Sequence, residues 1–151
     1  MVKESIFSEA EKNFLVNLRV ARIATIDPED NLPHLVPICF SFVDNSFFTS
    51  LSKTSKRLKN IDKNNKASIL FDEYEEKSGK WTILQGILIK IDIKILNYKE
   101  HTKGFMKGWI KLIEKYPQYK TWAHEDLSPT DPDLRRIMQM KPIKKIIWGF
   151  F

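Results

Sequence analysis

The strongest constraint on the fold lies between residues 21 and 51. There, three short apolar runs are separated only by turns. Residues 21–26 (ARIATI) alternate and are β-branched, and Asp27-Pro28-Glu29-Asp30-Asn31 carries turn chemistry. Residues 34–43 read as a second strand, Asp44-Asn45 turns the chain, and residues 47–51 read as a third. Strands joined by loops this short form an antiparallel meander.

The remaining pattern adds strands with a few helices between them. Residues 8–18 read as a helix opened by Ser8 and Glu11 at capping-box spacing, with Phe14, Leu15 and Leu18 as its apolar stripe. A second helix is predicted over residues 56–63, with Leu58 and Ile61 facing inward and Lys56, Lys59 and Lys63 opposite. Residues 67–74 predict a fourth strand and residues 75–80 a polar loop. The run from 81 to 96 is too long and too two-sided for a solvated strand, so it is expected to pack on both faces, one of them against another subunit. A helix over residues 98–115 is amphipathic through Phe105, Trp109, Leu112 and Ile113, and Tyr116-Pro117 ends it. A shorter helix is predicted near residues 132–140, where Pro and Asp fall in its first turn. The stretch from His124 to Lys141 as a whole reads as a surface loop, with a lid carrying Asp126, Asp131 and Asp133 as the alternative. Residues 143–151 predict a closing strand. Six strands with few long helices describe a mainly β protein, a small antiparallel barrel with helical insertions. At 151 residues it is expected to be one domain spanning residues 1–151.

Composition excludes several classes. With 42% hydrophobic and 29% charged residues, the chain is no disordered tail. Cys39 is the single cysteine, so no intrachain disulfide forms and a cytoplasmic location is expected. Residues 1–10 lack the apolar core of a signal peptide, and no run approaches the ~20 residues of a membrane-spanning helix. Three scattered histidines, His34, His101 and His124, do not make a structural zinc site.

The net charge is +6, and residues 53–66 carry six basic side chains against one acid, Asp62. Nearly the whole excess is therefore local. A solvated face, a nucleic-acid surface and a phosphorylated small ligand each account for such a cluster. Position favours the last. Thr49-Ser50-Leu51-Ser52-Lys53-Thr54-Ser55-Lys56-Arg57 leaves a strand and enters a helix. A helix N-terminus presents unpaired N–H groups and a positive dipole end. Cations there are mildly unfavourable unless an anion reverses the sign, and Arg can clamp a phosphate bidentately. DNA readers spread their charge over a larger face, so nucleic acid is not the expected partner.

At this corner the sequence resembles a known family. Arg22-Ile23-Ala24-Thr25-Ile26-Asp27, Pro33-His34-Leu35-Val36-Pro37-Ile38, Lys56-Arg57-Leu58-Lys59-Asn60-Ile61 and Ala67-Ser68-Ile69-Leu70-Phe71 resemble the pyridoxamine 5'-phosphate oxidase-like split-barrel flavoproteins. Residues 70–76, Trp81 and Lys115-Tyr116-Pro117-Gln118-Tyr119 are similar to the branch of probable F420-dependent enzymes. The resemblance implies a six-stranded split β-barrel, a homodimer, and FMN or alternatively F420 at the dimer interface. It implies that Lys56 and Arg57 hold the phosphate, with Lys53 and Ser55 in the same turn. Thr49 and Ser50 would lie beside the ribityl chain, and the backbone edge of His34, Leu35, Val36, Pro37 and Ile38 against the ring. Gln85 is a candidate contact to the ring edge, and Trp81, Phe48 and Trp148 are candidate apolar walls.

Two departures bear on activity. His34 stands where the vitamin oxidase has an arginine, and Trp81 where it has a glutamine, so true pyridoxamine phosphate oxidase activity is not expected. The expected function is hydride transfer between the cofactor and a small-molecule substrate stacked on its ring, the cofactor carrying the chemistry. Two alternatives are a flavin- or haem-binding protein without turnover and a basic nucleic-acid-binding barrel.

Overall fold

A computed structural model describes residues 5–149. Its elements are α1 (Glu9–Asn17), β1 (Ala21–Ile26), β2 (Pro33–Ile38), β3 (Ser41–Val43), β4 (Ser46–Ser52), α2 (Lys56–Lys63), β5 (Lys66–Lys77), β6 (Lys80–Leu96), α3 (Thr102–Lys115), a 3-10 helix (Pro117–Trp122) and β7 (Arg135–Trp148). The strands form one antiparallel sheet in the order β2-β1-β5-β6-β7-β4-β3. The two ends of that order, β2 and β3, are consecutive in the chain with only Cys39 and Phe40 between them. The sheet must therefore roll until its ends meet, which makes the barrel that the meander implied.

The break between β2 and β3 corrects the single strand expected over residues 34–43 and raises the strand count from six to seven. Phe40 is completely buried there, in edge contact with Phe71 at 4.9 Å. The freed backbone groups find side-chain partners. Thr49 Oγ1 donates to the Cys39 carbonyl (2.6 Å), and the Phe40 N–H donates to the Tyr116 hydroxyl (3.2 Å). Sequence alternation cannot register a bend whose backbone partners come from distant elements.

Three other expectations are corrected. The helix predicted near residues 132–140 is instead the start of β7, whose residues pair with β4 from Arg135 to Met140 and with β6 from Ile137 to Trp148. Ile137 and Met138 are both fully buried on opposite faces, so tertiary pairing overrides the local helix signal. The polar loop at residues 75–80 is a hairpin, turning at Ser78 (φ 53°) and Gly79 (φ 73°), the positive-φ pair that matches strand twist. The third helix begins at Thr102 because Asn97 first makes a turn, its side-chain oxygen accepting from the Glu100 N–H (2.7 Å). Part of the predicted closing strand, residues 150–151, lies outside the described residues.

Two apolar clusters hold the fold. One fills the barrel with Ile23, Phe40, Phe47, Phe71, Ile87, Ile89, Ile91, Met138 and Met140. The other lies outside it, where Phe48, Ile137 and Leu96 of the sheet meet Phe105, Trp109, Leu112 and Ile113 of α3. α3 reaches the sheet over Gly108, where an added Cβ would lie 2.5 Å from Phe48 Cδ1. Ser8 caps α1 through the expected capping box, and buried Glu11 pairs with Lys145 of β7.

Candidate functional site at the β4–α2 corner

β4 alternates between the two clusters. Phe47 and Leu51 point into the barrel and Phe48 points toward α3. By the same alternation Ser50 and Ser52 lie on the side of Phe48. Their cross-strand partners are Ile137 and Arg135. After Ser52 the chain turns into α2, and the Lys53 N–H donates to the Leu134 carbonyl (3.0 Å), which ties the turn to the start of β7.

The turn uses most of its own hydroxyls. Ser52 Oγ and Thr54 Oγ1 lie 3.0 Å apart, Ser52 Oγ accepts from the Thr54 N–H (3.3 Å), and Ser55 caps α2 by accepting from the Arg57 N–H (3.2 Å). Asn60, fully buried, holds α2 to β1 by donating to Thr25 Oγ1 (3.0 Å).

The two cations expected to act as a pair separate. Lys56 reaches back to the β1–β2 turn, 3.0 Å from Asp27 and 3.9 Å from Glu29. The Asp27 hydrogen bond holds its amine above the usual lysine value. Arg57 turns the other way and, among the described residues, has no carboxylate partner. Its Nη1 is buried with no hydrogen bond, and burial pushes the guanidinium down. Ser50 Oγ is likewise buried without a partner. A buried unpaired donor costs about 1–3 kcal/mol, so two at one corner point to a missing acceptor.

The other predicted residues divide among three places. Thr49 is at the corner, but its hydroxyl is committed to Cys39. Lys53 is exposed. On β2, His34 and Val36 are half-buried, Leu35 and Pro37 are exposed, and Ile38 packs in the barrel core, so only its backbone is left for a ligand. Among the described residues strand β2 pairs only with β1, which leaves its other edge unpaired, and Pro37 contributes no N–H to that edge. Trp81 and Gln85 lie on the β5–β6 hairpin, engaged with Tyr74 (3.1 Å) and Glu73 (3.1 Å). Among the described residues no hydrogen bond, ion pair or ring contact joins them to the corner. Phe48 is core, 1% exposed, and is corrected as a pocket wall. Trp148 lies across Gly86, where an added Cβ would be 2.1 Å from its ring.

The sequence reading missed a group around the same corner. Tyr119, on the 3-10 helix, feels the charges of both Arg57 and Arg135, and burial raises its phenol to about 12. Arg135 stacks over Trp122, 4.6 Å from the ring centroid. The adjacent Arg135-Arg136 pair was a signal, hidden because the segment read as a helix. Lys115, at the end of α3, is also unpartnered and sits 3.7 Å from the Phe40 ring centroid, its amine pushed down by burial to about 8.

A family model described as pyridoxamine 5'-phosphate oxidase matches residues 7–144. The chain belongs to the pyridoxamine 5'-phosphate oxidase family. No curated protein matches the sequence. Among solved structures, a conserved hypothetical protein from Mycobacterium tuberculosis is similar at 18% identity with TM-score 0.73, over 97% of this chain and 90% of that one. The haem storage protein HutZ from Vibrio cholerae aligns at 14% identity with TM-score 0.71, over 93% of each chain. An F420 reductase aligns at 14% identity with TM-score 0.65, over 93% of this chain and 98% of that one. These likenesses establish a shared fold. Among the described residues no helix is long and apolar enough to cross a membrane, and no cluster of three or more His, Cys, Asp or Glu is placed to hold a metal ion.

Proposed function

We propose that this family member is an oxidoreductase that uses a phosphate-bearing flavin or deazaflavin, FMN or F420, with the phosphate held at the β4–α2 corner. The observation that carries the reading is the pair of buried, unpartnered donors there, Ser50 Oγ and Arg57 Nη1, beside the N-terminus of α2. They fit an anion: a hydroxyl, a guanidinium and backbone N–H groups supply donors, and the nearby Asp27 carboxylate is taken up by Lys56. Lys56 so engaged leaves Arg57, with exposed Lys53, as the phosphate's cations. The bound ring system supplies hydride transfer to or from a small substrate. The chain's part is to fix the phosphate and offer the unpaired edge of β2 to the ring.

The protein acts as a homodimer in this reading. Tyr74, Leu84, Ile146 and Trp148 share one outer face by cross-strand register and are each 39–54% exposed. A second copy would cover that apolar face. The F420 reductase with the same fold supports deazaflavin chemistry, and the haem storage protein makes haem an outcome to test.

Titrating the purified protein with riboflavin, FMN, F420 and haemin tests the proposal. FMN or F420 should bind, and FMN at least tenfold more tightly than riboflavin, because only FMN carries a phosphate. Equal binding of FMN and riboflavin would remove the corner from the site. A Soret band with no flavin or deazaflavin binding would replace the reading with haem. Oxidation of NAD(P)H or reduced F420 by the loaded protein then separates an enzyme from a carrier.

A further inference from the structure

Among the described residues two cations at the corner form no ion pair, half-buried Arg57 and exposed Lys53, so a first phosphate finds its charge there. A further cation without an ion pair stands to one side. Arg135 lies directly across from Ser52 in the β4–β7 ladder, on the side that Ser50 shares. Among the described residues neither Arg57 nor Arg135 forms an ion pair, whereas Lys56 beside Arg57 does. Arg135 is held by ring faces instead, 4.6 Å from the Trp122 centroid and 6.0 Å from that of Trp109. Tyr119 links the two cations. Its ring packs against both tryptophans, and both guanidinium charges act on its phenol, which stays protonated and able to donate.

We propose, resting on the cofactor reading above, that Arg135 and Trp122 hold the part of the cofactor that continues past its first phosphate. The protein would then favour cofactors whose first phosphate is substituted on both sides, by an ester or an anhydride, over the phosphomonoester FMN. The next negative charge along such a tail, the second phosphate of FAD or a carboxylate of F420, would meet Arg135, a contact that FMN cannot make. Trp122 is 39% exposed and extends the corner into an aromatic shelf along which such a tail can run. Arg135 is here a specificity-determining residue and Arg57 the common phosphate anchor.

The test measures dissociation constants for FMN, FAD and F420 with the wild-type protein and with Arg135→Gln, Arg135→Lys and Trp122→Leu. FAD and F420 each extend past the first phosphate, through an anhydride in FAD and a second ester in F420, and differ beyond it, so the arms separate a nucleotide tail from an acidic one. Arg135→Gln should weaken FAD, F420 or both by roughly tenfold, the loss of one charge-assisted hydrogen bond. FMN binding should change less than twofold, and Arg135→Lys should restore part of the loss. An equal loss for FMN would show that Arg135 only supports the corner and would overturn the proposal, as would unchanged FAD and F420 affinities. If the wild type binds none of the three, the cofactor reading itself falls. If it binds FMN normally and the variants do not discriminate, only the tail assignment falls.

Discussion

Arg57→Met separates an anion-binding residue from a structural one, because the two roles predict opposite signs. Met keeps the apolar stem and removes a guanidinium whose Nη1 is buried without a partner. An unsatisfied buried donor costs about 1–3 kcal/mol. Arg57 is only half-buried, so we take the low end, about 1 kcal/mol gained by the ligand-free variant. The cofactor reverses the order. At 100 times its dissociation constant a ligand stabilises the wild type by about 2.7 kcal/mol. The variant loses a charge-assisted bond of roughly 1.5–3 kcal/mol. Its affinity falls about 10–100-fold, so the same ligand concentration adds only about 0.4–1.4 kcal/mol. Urea unfolding without and with FMN should therefore cross: Arg57→Met more stable alone, wild type more stable when loaded. Lys56→Met should show no such gain, because Lys56 already has Asp27. An Arg57→Met protein less stable than wild type in the absence of ligand would refute the argument, since Arg57 would then be paid for by packing alone.

Two further outcomes follow from named contacts. In α3, Gly104→Ala should stabilise by up to about 1 kcal/mol, since the new Cβ meets only Leu96 Cδ1 at 3.2 Å, the end of a flexible side chain. Gly108→Ala should destabilise despite the same helix-propensity gain. Its Cβ would sit 2.5–2.9 Å from the root and ring of fully packed Phe48, and overpacking costs about 1–3 kcal/mol. Matched denaturation curves decide, and equal shifts at the two glycines would be wrong for this packing. With pH, burial and the nearby Arg19 charge lower Lys115 from 10.5 to about 8, with Cys39 opposing. Above about pH 8 the unfolded chain keeps the Lys115 proton that the native state has lost, so stability should rise toward pH 10. Burial also raises Tyr119 from 10.0 to about 12, so above pH 10 the native state keeps a proton the unfolded chain loses, and stability should fall. Lys115→Met should flatten the rising limb and Tyr119→Phe should soften the falling one in pH-dependent melting.

The alternation of residues 21–26, the capping box at Ser8 and Glu11, and the polar and apolar sides of residues 56–63 were enough to place β1, α1 and α2, because each depends on neighbours within a few positions. The basic corner was legible for the same reason: the cap, the serines and the cations are consecutive in the chain. The direction each cation takes was not. Lys56 turns to Asp27 across 29 residues, while Arg57 turns toward Tyr119 and is left unpaired. Nor could local pattern show that residues 135–140 are a strand, since their partners are 83 or more positions away in β4 and their burial on two faces exists only once α3 covers the barrel. Periodicity records what one stretch of backbone prefers. Charge pairing, burial and strand choice depend on which distant groups compete for the same space, and only the assembled barrel determines that.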